Sequence, residues 1–160
     1  MKTYTLHYTC LLEASAYDVC LFHTNTQNLP RITPPSTRVS IVKMDTPLHE
    51  KSMVILDIKR FGLTTRWEMC IETLNCPHTI TDTMIKGPFR NFRHERRFHA
   101  IGPLQTRMDE TITLAFPLPF IDIILFRWIQ KDMDAMFAYR HAQTKEYFLA
   151  HPSTQTNVPL

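Results

Sequence analysis

Residues 82–116 constrain the fold of this chain more than any other stretch, because two runs of alternating side chains meet across a turn. On the first run Phe92, His94, Arg96 and Phe98 share one parity; on the second, Thr106, Met108, Glu110, Ile112, Leu114 and Phe116 do. Successive side chains of a strand point to opposite faces, so each set lies on one face. The other parity, Asn91, Arg93, Glu95, Arg97 and His99 with Arg107, Asp109, Thr111 and Thr113, reads as a solvated surface. Turn residues in Ala100-Ile101-Gly102-Pro103-Leu104 join the runs into an antiparallel hairpin. For the even-numbered sets to share a face, paired residue numbers must have an even sum. The plausible registers then put Glu110 opposite either His94 or Arg96, with the other diagonal to it, at about 5 Å and about 7–8 Å. An imidazole, a guanidinium and a carboxylate on a greasy face are costly unless paired or wetted. The face reads either as a structural ion pair inside a core or as the polar patch of a lined pocket, and the pocket is the stronger reading.

The rest of the chain surrounds this hairpin with more of the same. Tyr4, Leu6, Tyr8, Cys10 and Leu12 alternate with Thr5, His7 and Thr9 as an N-terminal strand. Ser15, with Asp18 three residues on, marks a helix N-terminus, and a short helix over 16–24 follows. A second helical turn near 27–29 ends at Pro30, and Thr33-Pro34-Pro35-Ser36 breaks structure. Further strand-like runs cover 37–44, 53–61, 63–73, 79–85, 90–100 and 105–116, with turns at Gly62, at Asn75-Cys76-Pro77 and at Gly87. From about Phe120 the apolar period lengthens to that of a helix running to Phe148, with Pro119 suited to its first turn. Seven strands, two short helices after the first of them and one long C-terminal helix predict an α+β domain over 1–150. Residues 151–160 read as a flexible tail.

Composition excludes several function classes. With 44% hydrophobic and 21% charged residues the chain is an ordinary globular one. Its three glycines all sit in turns, so no glycine-rich phosphate cradle exists. A net charge of +3, with basic residues interleaved among acids, predicts no nucleic-acid partner. Cys10, Cys20, Cys70 and Cys76 show no metal spacing, and the eight histidines add none, so no metal and no cofactor is expected. An alternating N-terminus without a continuous apolar core, together with cysteines read as free thiols, predicts a cytoplasmic protein. The greasiest run, 112–129, contains Asp122, Arg127, Pro117 and Pro119, which argues against a transmembrane helix.

At this point a family resemblance enters. Asp82-x-Met84-x-x-Gly87-Pro88-Phe89-Arg90-x-Phe92-x-His94-x-Arg96-x-Phe98, then Thr106-x-Met108-x-Glu110-x-Ile112, a proline-rich break, and Met136-Phe137-Ala138-Tyr139-Arg140-His141 together resemble the START/polyketide-cyclase-like (SRPBCC, helix-grip) superfamily, in its bacterial cyclase/dehydrase-like branch. Many relatives have Trp, His and Asp where Phe92, Arg96 and Glu110 stand. The resemblance implies a helix-grip fold, a curved antiparallel sheet wrapped around the long helix, and an internal cavity for a hydrophobic small molecule.

The candidate site follows from both lines. His94, Arg96 and Glu110 are the central candidates, with Asp82 joining by parity and Arg140 reaching across from the helix or snorkelling at its rim. Trp67, Phe92, Phe98, Met108, Ile112 and Met136 complete the expected ligand-binding set. The favoured function is binding, with transport or sequestration, of a lipid, isoprenoid or polyketide in the cavity. The alternative is a cyclase/dehydratase-type enzyme in which His94 and Glu110 do acid–base work and Arg96 stabilises an anion; a purely structural role stands third. In residues 120–129, Phe120, Ile121, Ile123, Ile124, Leu125, Phe126, Trp128 and Ile129 exceed what one inner stripe needs. The surplus, Ile123 and Phe126, predicts a gate, a membrane-surface contact or a homodimer face.

Overall fold

The computed structural model describes residues 2–117 and 122–153. Strand β1 (Tyr4–Leu12) leads into helix α1 (Ala16–Thr24) and a single 3-10 turn (Thr26–Asn28). Six strands follow: β2 (Thr37–Met44), β3 (Met53–Arg60), β4 (Leu63–Asn75), β5 (Thr79–Lys86), β6 (Asn91–Gly102) and β7 (Gln105–Ala115). The chain closes with helix α2 (Asp122–Ala150). Pro119, Phe120 and Ile121 lie outside the described residues, as does most of the tail.

Local chemistry fixes the elements. The Ser15 hydroxyl accepts from the Asp18 backbone N–H at 3.1 Å and donates to the Asp18 carboxylate at 2.8 Å, which caps α1. Phe61 and Gly62 connect β3 to β4, both with positive φ (50° and 78°), the conformation that a two-residue hairpin requires.

All seven strands form one antiparallel sheet in the order β1-β7-β6-β5-β4-β3-β2. The β6–β7 register pairs Phe92 with Leu114, Arg96 with Glu110 and Phe98 with Met108. The even-numbered sets therefore share the inner face, and of the two registers the sequence left open, Arg96 is the residue opposite Glu110. Helix α2 lies across this face with Met133, Phe137, Thr144 and Phe148 buried beneath it.

The cysteines require a correction. Cys20 on α1 and Cys76 in the β4–β5 turn form a disulfide, so only Cys10 and Cys70 are free thiols. The partners stand 56 residues apart, a spacing that carries no motif. Cys10 is buried, and burial pushes its thiol up to about 11, which leaves it inert at neutral pH.

Candidate ligand-binding site

A cavity of about 470 Å³ lies between the sheet and α2, within the range of small-molecule sites. Its wall comes mainly from β2 to β5, through side chains such as Val39, Val54, Leu56, Trp67 and Met69, and from one side of α2, through Met133, Met136 and Phe137. Aromatic packing stiffens one flank: Trp67 meets Phe92 edge-on at 5.3 Å, and Phe89 lies 5.6 Å from Phe92. The apolar lining follows from the alternation of β3 and β4, whose inward parity is Val54, Leu56, Ile58 against Met69 and Trp67.

Polar groups gather in one part of the wall. Asp82, His94, Arg96 and Arg140 all line the cavity, and His23 joins them from the end of α1. Arg96 is ion-paired to Asp82 through Nη2, because the β5–β6 register brings Asp82 opposite His94 and diagonal to Arg96. Behind the wall, Glu110 is 1% exposed. His94 Nε2 meets its Oε2 at 2.7 Å, and His141 Nε2 meets its Oε1 at 2.7 Å. Each ring presents an N–H to the carboxylate, so both oxygens are occupied. Burial alone would raise the Glu110 carboxyl; the hydrogen bonds from His141 and His94 outweigh it and hold the group well below the usual carboxylate range. Burial lowers the Arg96 guanidinium to about 10 and also lowers Arg140, while both stay cationic at neutral pH. Burial, reinforced by Arg96, lowers the His23 imidazole to about 3, so it is neutral.

Of the candidates named from sequence, Trp67, Asp82, Phe92, His94, Arg96, Met136 and Arg140 line the cavity. Phe98, Met108, Ile112 and Glu110 do not. Phe98, Met108 and Ile112 are at most 4% exposed in solid packing: Phe98 and Met108 lie against α1 and Phe148, and Ile112 lies against Met133 and Phe137 of α2, so the two helices together fill that half of the face. Two residues escaped the sequence reading. His141 follows Phe137 by four residues and shares its helix stripe, a spacing that could have revealed it. His23 gave no signal, since α1 shows no clear apolar stripe around it.

At the start of α2, Phe126 is not surplus: it stacks on Tyr4 with centroids 3.9 Å apart. The Ile123 side chain lies outside the described residues; among those described there, the exposed apolar side chains are Ile124 (79%) and Trp128 (53%). The ring of Trp128 lies 5.5 Å from that of Phe61 in the β3–β4 turn, and both line the cavity at the exposed surface. Beside them Arg60 is ion-paired to Asp132, closing a second contact between that turn and the helix. Among the described residues no helix is long and apolar enough to cross a membrane, and no three His, Cys, Asp or Glu side chains converge as metal ligands do.

Comparison with solved structures identifies the architecture. A START superfamily protein from Mycobacterium smegmatis superposes with a TM-score of 0.71 at 12% identity, covering 89% of this chain and 98% of that one. The Zhui aromatase/cyclase from Streptomyces sp. R1128 gives 0.71 at 14% identity, covering 96% and 100%. Norcoclaurine synthase from Thalictrum flavum gives 0.67 at 16% identity, covering 96% and 90%. The chain has the START-like helix-grip fold. No family model and no curated protein matches the sequence.

Proposed function

We propose that this protein binds a hydrophobic small molecule, of the size of a lipid, isoprenoid or polyketide, inside the cavity between sheet and helix. One observation carries the reading: a roughly 470 Å³ space walled by Val54, Leu56, Trp67, Met69, Phe92 and Phe137, with its charged groups in two places, the Asp82–Arg96–Arg140 group and the Arg60–Asp132 pair at the mouth. A chain that leaves such a volume unfilled gives up packing energy which a ligand restores. The exposed rim of Phe61, Leu63, Ile124 and Trp128 supports loading from a membrane surface. Transport or sequestration is the role that fits a cavity of this kind.

A second reading is an enzyme of the cyclase or dehydratase type. The observation in its favour is that His94 lines the cavity with Glu110 hydrogen-bonded behind it, the arrangement of a general base and its orienting carboxylate. Arg96 would stabilise a developing enolate. The solved structures of similar fold include an aromatase/cyclase, which supports that reading by analogy alone.

Solvent extraction of the purified protein, followed by mass spectrometry, tests the binding reading: an apolar compound at near-stoichiometric yield is expected. Titration with the neutral fluorophore N-phenyl-1-naphthylamine is the complementary test, and failure of both to detect occupancy sinks the proposal. The Cys20–Cys76 disulfide suits an oxidising compartment and runs against the expected cytoplasmic placement. Counting thiols in protein isolated under alkylating conditions separates the two: four point to the cytoplasm, two away from it.

A further inference from the structure

The polar part of the cavity is short of acceptors. Asp82 is taken by Arg96, and both oxygens of Glu110 are taken by His94 and His141. The Arg140 side chain has no hydrogen bond and no ion pair among the described residues; its nearest interaction is with the face of the Phe137 ring, 5.1 Å away. Its Nε is buried without a partner, and so are the Arg96 Nε and the His23 Nε2. All three residues line the same cavity. Arg96 and Arg140 both act electrically on His23, and Arg140 acts on Arg96.

Burying a guanidinium whose donors find no acceptor, with only the field of Glu110 as counter-charge, is among the costlier things a protein does. Most buried polar atoms find partners, and an orphan calls for an explanation in strain, function or a missing ligand. Among the described residues four orphaned nitrogens line this space; that of Arg60 sits at the mouth on a guanidinium already paired to Asp132, and the other three, two of them on cations, gather at the Asp82–Arg96 end of a mainly apolar chamber. A guanidinium offers a planar fork of donors that matches a carboxylate edge-on.

We propose that the cavity selects amphipathic anions: molecules with an apolar body that lies along Trp67, Leu56 and Met69, and a terminal carboxylate seated on Arg140 and within reach of Arg96 and His23. A monoanion fills the donor fork of the one guanidinium without a hydrogen-bond partner and adds only one charge beside Glu110, which favours a carboxylate over a phosphate dianion. The inference rests on the cavity-binding reading above and narrows its ligand class.

The test is displacement of N-phenyl-1-naphthylamine from the whole protein at pH 8 by decanoate and by 1-decanol, which share a chain and differ in charge. Decanoate is expected to displace the probe at a concentration at least tenfold lower, about 1.4 kcal/mol in preference. Arg140→Met is expected to bring the ratio of the two midpoints close to one, and Arg140→Lys to keep a preference for the anion. Equal displacement by the two compounds in the wild type overturns the proposal, as does an unchanged ratio in Arg140→Met. The wild-type ratio decides even where Arg140→Met fails to fold. If the wild type binds neither the fluorophore nor decanoate by calorimetry, the cavity-binding reading fails and takes this inference with it. Fluorophore binding without discrimination removes only the anion.

Discussion

The two halves of the sheet face carry similar side chains and are finished differently. On the β1–β7–β6 side, Leu6, Ile112 and Leu114 pack with Met133 and Phe137 of α2, Cys10, Met108 and Phe98 pack with α1 and Phe148, and all are sealed. On the β2–β5 side, Val54, Leu56, Trp67 and Met69 are equally apolar but line open space. Hydrophobicity therefore does not distinguish core from cavity in this fold; the lateral seats of α1 and α2 do. The polar belt follows the border between the halves. Glu110 belongs to the filled side, His94 and Arg96 face the hollow side, and His141 and Arg140, adjacent on α2, meet the belt from above.

The border should be the most sensitive place in the molecule. Glu110→Ala leaves two histidines without their acceptor and removes the carboxylate closest in effect to Arg140, and is expected to cost about 3–5 kcal/mol in urea unfolding at pH 7. A loss near 1 kcal/mol would mean that water solvates the belt, and that filled and hollow halves are not separated there.

The same chemistry applied to each half gives a direct contrast. Ile112→Ala removes packing from a residue that is 0% exposed under the helix, and about 3 kcal/mol should be lost. Leu56→Ala only widens a space that already exists, so about 1 kcal/mol is expected. Equal losses at the two positions would erase the distinction between the halves.

How much of this was readable beforehand divides along the same line. The face of every residue on β6 and β7 follows from alternation, and the pairing parity of that hairpin follows from its turn, so the grouping of His94, Arg96 and Glu110 was legible. The β5–β6 register also placed Asp82, by parity, near the group it joins. Where α1 and α2 rest laterally was not legible, because helix periodicity fixes which side chains point inward and not which strands they cover. That is why Phe98, Met108 and Ile112 read as cavity wall and belong to the sealed half. His23 and the Cys20–Cys76 bridge depend on how α1 folds back over the sheet, a contact between segments far apart in sequence with no motif at either end. The resemblance to the helix-grip superfamily supplied the wrapping of the sheet around the helix, which alternation alone does not dictate.

His23 gives the hollow half its own pH signature. It faces Arg96, Arg140, His94 and Glu110 and titrates at about 3 in the fold, against about 6.5 in an unfolded chain. Its folded pKa is depressed, so between those values the unfolded state binds the extra proton and stability falls as pH falls. At pH 5 the loss relative to pH 7 attributable to this residue is about 2 kcal/mol. Comparing the pH dependence of unfolding for wild type and His23→Phe checks this. The variant should lose less stability over that interval, and parallel curves would mean that His23 is wetted by the cavity and titrates normally.

The smallest expected effect on stability lies at the mouth of the hollow half. Trp128 is half exposed, and its ring reaches Phe61 across the gap between α2 and the β3–β4 turn. Removing an exposed side chain that seals no core changes stability by no more than about 0.5 kcal/mol. At an exposed rim an aromatic pair contributes about 0.5 kcal/mol, which as a barrier to opening corresponds to roughly a twofold change in rate. Trp128→Ala should therefore release bound N-phenyl-1-naphthylamine faster by that factor in stopped-flow dilution while its unfolding midpoint stays put. The Arg60–Asp132 pair spans the same gap, so Asp132→Asn should act in the same direction but more weakly, as solvent screens a rim charge. Unchanged release from Trp128→Ala would place the entrance elsewhere, and the exposed Trp128–Phe61 contact would then stand as a surface for a membrane or partner rather than as a door.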